Sequence, residues 1–336
     1  MLQLSCIPSP SSSFFSLALS RRRAATRGRE NSFTYPVPCQ CLRQPDVDDR
    51  ETTKQSNICS DISSHFYGRR SLASIAALTF LVPQLHTAQA DTSYEESVIR
   101  NGVKNVISKA KAAGILRLAF HDAGTFDMED NSGGMNGSIV YELDRPENSG
   151  LSKSVKVLEK AKREIDNVQQ VSWADLIAVA GAEAVSLCGG PTIPIRLGRH
   201  DARNADPEGK LPQESLDASG LKRCFQKKGF SAQELVVLSG AHTIGGKGFG
   251  SPTTFDNAYF KILLDKPWTS SAGMSSMIGL PSDRALIEDD ECLRWIKIYA
   301  GDQVKFYDDF MTAYIKLVNS GASWEPLSLQ VKGAWK

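Results

Sequence analysis

Leu116-Arg117-Leu118-Ala119-Phe120-His121-Asp122-Ala123-Gly124 closes a stretch, Glu95–Ala123, in which Val98, Val103, Val106, Ile107, Ile115, Leu116 and Leu118 recur largely by threes and fours. That period predicts an amphipathic helix. Arg117 and His121 stand four apart, so one helix face presents both. An imidazole there suits moving a proton between the oxygens of a peroxide, and a guanidinium suits stabilising the charge that develops as the O–O bond breaks. The same spacing also suits a surface Arg–His pair flanking a buried Leu/Phe face. A second histidine stands in Leu238-Ser239-Gly240-Ala241-His242-Thr243-Ile244-Gly245. Small neighbours at a helix end allow a flat cofactor to approach and let the imidazole ligate iron. They equally suit a buried histidine satisfied by a carbonyl.

Outward from these two stretches the chain continues to read as helix. Leu151–Arg163, the Ala-rich Trp173–Leu187 and Asp302–Leu317 are predicted helices. Ser231 with Glu234 three residues on forms a capping-box signature before a helix running to about Leu238. Asp127–Gly137, Gly245–Pro252 and Thr269–Ser276 read as loops. The expected class is all-α, with room for a short hairpin.

The first ninety residues read as addresses. Residues 1–45 are rich in Ser and Arg, with Glu30 as their only acid, the composition of a transit peptide. Arg69-Arg70, the apolar run Ser71–Val82 and Ala88-Gln89-Ala90 follow in the order of a twin-arginine export signal. The alternative is one long transit peptide with a chance arginine pair. The expected layout is a chloroplast transit peptide over 1–68, a twin-arginine lumenal signal over 69–90 and a folded domain over 91–336, delivered to the thylakoid lumen. The 336 residues carry a net charge of +1. Residues 1–90 hold ten Lys/Arg against six Asp/Glu, so the remainder is slightly acidic, which argues against nucleic acid as a partner. No run reaches the ~18–20 apolar residues of a spanning helix. Cys6, Cys39, Cys41 and Cys59 fall in the targeting part, leaving Cys188, Cys224 and Cys292; one disulfide among these three is compatible with the sequence, which does not choose the pair.

Taken in order, the motifs resemble those of the haem peroxidases of the ascorbate-peroxidase class, and within it the thylakoid-lumen relatives. Arg117–Gly124 resembles the distal helix and Leu238–Gly245 the proximal motif. Glu147-Asn148-Ser149-Gly150-Leu151 is similar to the segment that orients the distal histidine. Leu280-Pro281-Ser282-Asp283-Arg284-Ala285-Leu286 is similar to the segment that binds the proximal one. Gly189-Gly190-Pro191, Gly198-Arg199-His200-Asp201 and Phe255-Asp256-Asn257-Ala258-Tyr259-Phe260 complete the series, which covers nearly all of 95–320. The resemblance implies a two-lobed, single-domain helical haem-peroxidase fold with haem b and hydrogen peroxide as substrate. Arg117, His121 and Asn148 would be catalytic, His242 the axial iron ligand, Asp283 its acceptor, and Phe120 the aromatic residue over the cofactor where the class has Trp. Arg199 would be structural and His200 a loop residue.

The sequence also departs from that pattern. Between His242 and Asp256 the family has a longer loop carrying a His, an Arg for ascorbate and a Trp; here it is Gly246-Lys247-Gly248-Phe249-Gly250-Ser251-Pro252. Trp268 reads as a shifted surface or packing residue, and Lys109 matches the family's other ascorbate contact, although a lone solvated Lys also fits that position. Asp122, with Asp127 and Asp130, stands where calcium-binding classes carry Asp, although a solvated acidic loop also fits. Two functions are therefore expected: a peroxide-reducing haem enzyme with the ascorbate site lost, or a haem-free relative acting as an auxiliary lumenal protein peripheral to the thylakoid membrane or photosystem II. N-terminal sequencing of protein recovered from the lumen should begin at Asp91; a stromal protein beginning near residues 45–60 would contradict the two-signal reading.

Overall fold

The computed structural model describes residues 94–265 and 278–325. The targeting segments, Asp91, Trp268 and the loop Thr269–Ser276 lie outside the described residues. Ten α-helices follow one another among them: α1 (residues 94–106), α2 (Lys109–Ala123), α3 (Ser152–Asp166), α4 (Trp173–Leu187), α5 (Ala218–Lys227), α6 (Ala232–Ser239), α7 (Ala258–Asp265), α8 (Pro281–Ala285), α9 (Asp290–Gly301) and α10 (Gln303–Asn319). No strand forms among the described residues, which hold only isolated bridges Asp127–Ser132 and Arg199–Trp324. The expected all-α class is what the chain adopts.

α4 is the centre of the packing. Ala174 to Val185 are buried on every side, and a helix apolar all round belongs inside a fold. Ser172 caps it by accepting from the Asp175 amide at 3.1 Å. Its small residues let α2 and α10 come close: Tyr314 on α10 donates to the Ala178 carbonyl at 2.9 Å. A methyl group on Gly181 would run into the Tyr314 hydroxyl and stand 2.9 Å from the Ala119 Cβ on α2. Arg199 ties the other end of this assembly. Buried, it donates to Asp175 Oδ1, the Val318 carbonyl and Asn319 Oδ1, each at 2.8 Å. His200 beside it is an exposed loop residue.

The expected single helix over 95–123 is instead α1 and α2. Ser108 takes an extended backbone (φ −138°, ψ 164°) and interrupts the ladder, and Lys111 Nζ donates to the freed Val106 carbonyl at 2.9 Å. The apolar period hides the break because Ile107 and Ala112, on either side of it, are both buried. The capping box at Ser231 forms, with Glu234 accepting from the Ser231 amide at 2.7 Å. Helices α5, α7, α8 and α9 lie outside the predicted elements. Two of them start on aspartate caps, Asp217 accepting from Gly220 and Asp289 from Cys292. Cys188, Cys224 and Cys292 are all free thiols.

Gly181→Ala should lower stability by ~1–3 kcal/mol, the usual cost of overpacking, read as a shifted denaturation midpoint by circular dichroism. An unchanged midpoint would show that the α2–α4–α10 junction has slack the geometry does not indicate.

Candidate active site

α2 delivers Arg117 and His121 one turn apart, and a single short turn, Pro146–Asn148, fixes both. Arg117 donates to the carbonyls of Ser149 (2.9 Å) and Glu147 (2.6 Å). His121 Nδ1 lies 2.7 Å from Asn148 Oδ1. Asn148 is itself oriented, because its amide nitrogen donates to the Glu142 carbonyl at 2.9 Å and so turns the oxygen toward the ring. A carbonyl-type acceptor places the proton on Nδ1 and leaves Nε2 with its lone pair. Burial, helped by the nearby Arg117 charge, lowers the His121 pKa to about 4, against the opposing pull of Asn148. The ring is therefore neutral and ready to accept a proton across the neutral range.

The second histidine sits in the 3₁₀ turn Gly240–Thr243 that ends α6. Gly240 is required there, since a Cβ would meet the rings of Phe306 at 2.6 Å and Phe260 at 2.8 Å. His242 Nδ1 is 2.7 Å from Asp283 Oδ1. Asp283 is buried, and its Oδ2 accepts from the Leu280 amide at 2.7 Å. Burial works against both charged forms, yet the pair outweighs it: His242 is raised and Asp283 lowered from their ordinary values. Tyr259 adds a third donor to Asp283, 2.9 Å from Oδ1.

Both histidines line one cavity of about 360 Å³, together with Arg117, Phe120 and Asp283, a size within the range of small-molecule sites. Phe120 meets His121 edge-on and stacks on Phe225. All six residues singled out in the sequence thus gather here, five on the wall and Asn148 behind His121. Lys247 of the short loop also lines the cavity, whereas Lys109 is exposed and stands outside its lining.

Asp122 reads differently from either alternative drawn from the sequence. It is fully buried and accepts from the amides of Gly137 (2.8 Å) and Ile139 (3.1 Å), and burial pushes its carboxyl up to about 7. Each of its oxygens is met by a backbone donor, which ties the 137–139 segment to α2. Asp127 and Asp130 pair with Lys210 at 3.0 and 2.6 Å. Among the described residues no cluster of three acidic, His or Cys side chains is set to hold a metal ion. Sequence reasoning passed over Tyr259 and Glu142. The first stood inside a motif read only as a marker, and the second acts through its backbone carbonyl.

Comparison with known proteins identifies the family. The family model described as peroxidase matches residues 96–250. The chain is 62% identical over 267 residues to "Putative L-ascorbate peroxidase 6" of Arabidopsis thaliana, covering 79% of this chain and 81% of that one. It is 38% identical over 235 residues to "L-ascorbate peroxidase 5, peroxisomal" of the same plant, covering 66% and 81%. With "Cytochrome c peroxidase, mitochondrial" of Cryptococcus neoformans it shares 30% over 350 residues, covering 88% and 92%. The chain belongs to the peroxidase family, in the class I haem peroxidases that include the ascorbate and cytochrome c enzymes.

The residues present suit the family's haem. An imidazole locked through Nδ1 to a carboxylate offers Nε2 to a metal on one side of the cavity, and an Arg–His pair stands on the same cavity's wall.

Because His121 is lowered below its ordinary value, the unfolded chain binds its proton first as pH falls. The stability this ring contributes is present above its ordinary value of ~6.5 and is lost as pH falls through about 4. Proton NMR of the mature protein should show one imidazole titrating near 4 whose signals vanish in His121→Gln. A His121 midpoint near the unperturbed value would mean the ring is solvated.

Proposed function

We propose that this protein reduces hydrogen peroxide with a haem b carried on His242, in the thylakoid lumen, using an electron donor other than ascorbate. The observation that carries the reading is the pair of histidines on one cavity, each with Nδ1 engaged by a side chain that is itself held: His121 by Asn148, His242 by Asp283. Family membership supplies the reaction class, since the relatives are named as peroxidases. The lumenal address rests on the two ordered signals at the N-terminus, and no helix among the described residues is long and apolar enough to cross a membrane.

Bound at His242, haem would supply the redox centre that takes up the peroxide oxygen. Every other task falls to the chain. His121 Nε2 accepts a proton from the near peroxide oxygen and returns it to the far one, so that the far oxygen leaves as water. Asn148 keeps Nδ1 protonated through that exchange. Arg117, which lines the cavity while two carbonyls hold it, would stabilise the oxygen on which negative charge grows. Asp283 supports His242 as an electron-rich ligand.

Ascorbate is disfavoured as donor because Gly246–Pro252 carries no Arg. A charge-assisted hydrogen bond of the kind lost contributes ~1.5–3 kcal/mol. The same loop favours a second reading, a haem-free auxiliary protein peripheral to the thylakoid membrane or photosystem II. Arg117 and Lys247 are the only Lys or Arg among the described residues lining the cavity, few cations to meet anionic propionates, and an unpaired buried charge is costly.

Stopped-flow mixing of haem-loaded protein with hydrogen peroxide separates the two. His121→Ala should slow the reaction by ~10²–10⁴-fold, Arg117→Ala should slow it as well, and Asn148→Ala less. Equal rates for parent and His121→Ala would make the distal residues relics. Steady-state assays should find negligible ascorbate-dependent turnover. Saturable, efficient ascorbate oxidation would show that Lys109 or Lys247 has taken over the missing contact.

A further inference from the structure

Asp283 is held by three donors, and one of them belongs to none of the roles above. Oδ2 accepts from the Leu280 amide at 2.7 Å. Oδ1 accepts twice, from His242 at 2.7 Å and from the Tyr259 hydroxyl at 2.9 Å. Tyr259 is fully buried on α7, so this hydrogen bond has no water to replace it. Its ring stands edge-on to His242, centroids 6.1 Å apart. Phe249, from the short loop that departs from the family pattern, meets the same ring edge-on, centroids 4.7 Å apart.

We propose that Tyr259 is a positioning residue that sets the electron donation of His242 through Asp283. This rests on the reading that His242 carries haem. The physical argument is a competition at one oxygen. Two donors share the charge on Asp283 Oδ1, so whatever Tyr259 draws is not available to polarise the His242 N–H. The less the N–H is polarised, the less electron density reaches Nε2 and the metal it holds; such hydrogen-bonded partners of a ligand tune the metal. Phe249 and the His242 ring keep the phenol in register, so the donor cannot swing away.

The test uses haem-loaded mature protein and reads the iron–histidine stretching frequency by resonance Raman of the ferrous form, with the reduction potential by spectroelectrochemistry. Tyr259→Phe keeps the ring and removes the donor; the stretch should rise and the potential should fall. Asp283→Asn should move both in the opposite sense. Replacing Tyr259 with 3-fluorotyrosine, a stronger donor of the same shape, should also move them opposite to Phe, and it decides the matter if the Phe variant releases haem. Variants that hold haem with unchanged frequency and potential, or a Phe variant that shifts in the direction of Asp283→Asn, would overturn the proposal alone. A parent with no Soret band after haem addition would overturn the haem reading and this proposal with it.

Discussion

The hydrogen bond between His242 and Asp283 is the constraint around which the proximal half of the cavity is built. To make it, the chain must bring the end of α6 against the start of α8, forty-one residues apart in sequence. It does so with Gly240 admitting the Phe260 and Phe306 rings, Leu280 donating its amide to the carboxylate, and Tyr259 packed beside both partners. A carboxylate this deeply buried is tolerable because both of its oxygens are met by donors, Oδ1 by two and Oδ2 by one. Remove the aspartate and the imidazole loses its orientation, its tautomer and its electron richness together. The distal side repeats the logic with neutral groups: Asn148 holds His121, and the Glu142 carbonyl holds Asn148. On the proposed reading, a neutral acceptor suits His121 as a base that must lose and regain a proton, and an anionic one suits His242 as a permanent ligand.

Much of this was legible in the chain. Arg117 and His121 share a helix face because four residues make about one turn, and that inference needs no tertiary knowledge. The Ser231 capping box was readable for the same local reason. What the sequence concealed is non-local. The division at Ser108 left the apolar period intact, so periodicity could not find it. Helices α5, α7 and α9 are short, and two of them depend on aspartate caps lost among many acids. Asp122 looked like part of an acidic loop. Its burial against the amides of Gly137 and Ile139 is set by how that loop folds back on α2, and nothing in its neighbours announces it. Tyr259 was visible only as a letter in a family motif, and its hydrogen bond to a residue twenty-four positions away is a product of the α7–α8 approach.

The short loop after His242, Gly246–Pro252, packs into the proximal side of the cavity. Phe249 turns inward and packs on Tyr259, so the loop completes the proximal core with a phenyl ring. Lys247 faces the cavity while its carbonyl accepts from the Gly279 amide at 2.7 Å, which anchors the loop to the segment bearing Asp283. Phe249 thus completes the proximal side, and Lys247 is the cation this loop brings to the cavity lining. On the proposed reading, a site so arranged would keep what cleaving a peroxide bond requires and would lack the charge that selects an anionic reductant.

Whether the rebuilt side holds haem is the question on which the account stands. The direct measurement is an absorbance titration of the mature protein with haem, beside His242→Ala. The account predicts a saturable Soret band in the parent that is lost or shifted to that of free haem in the variant. A parent that shows no such band, or a variant whose band is indistinguishable from the parent's, would contradict it.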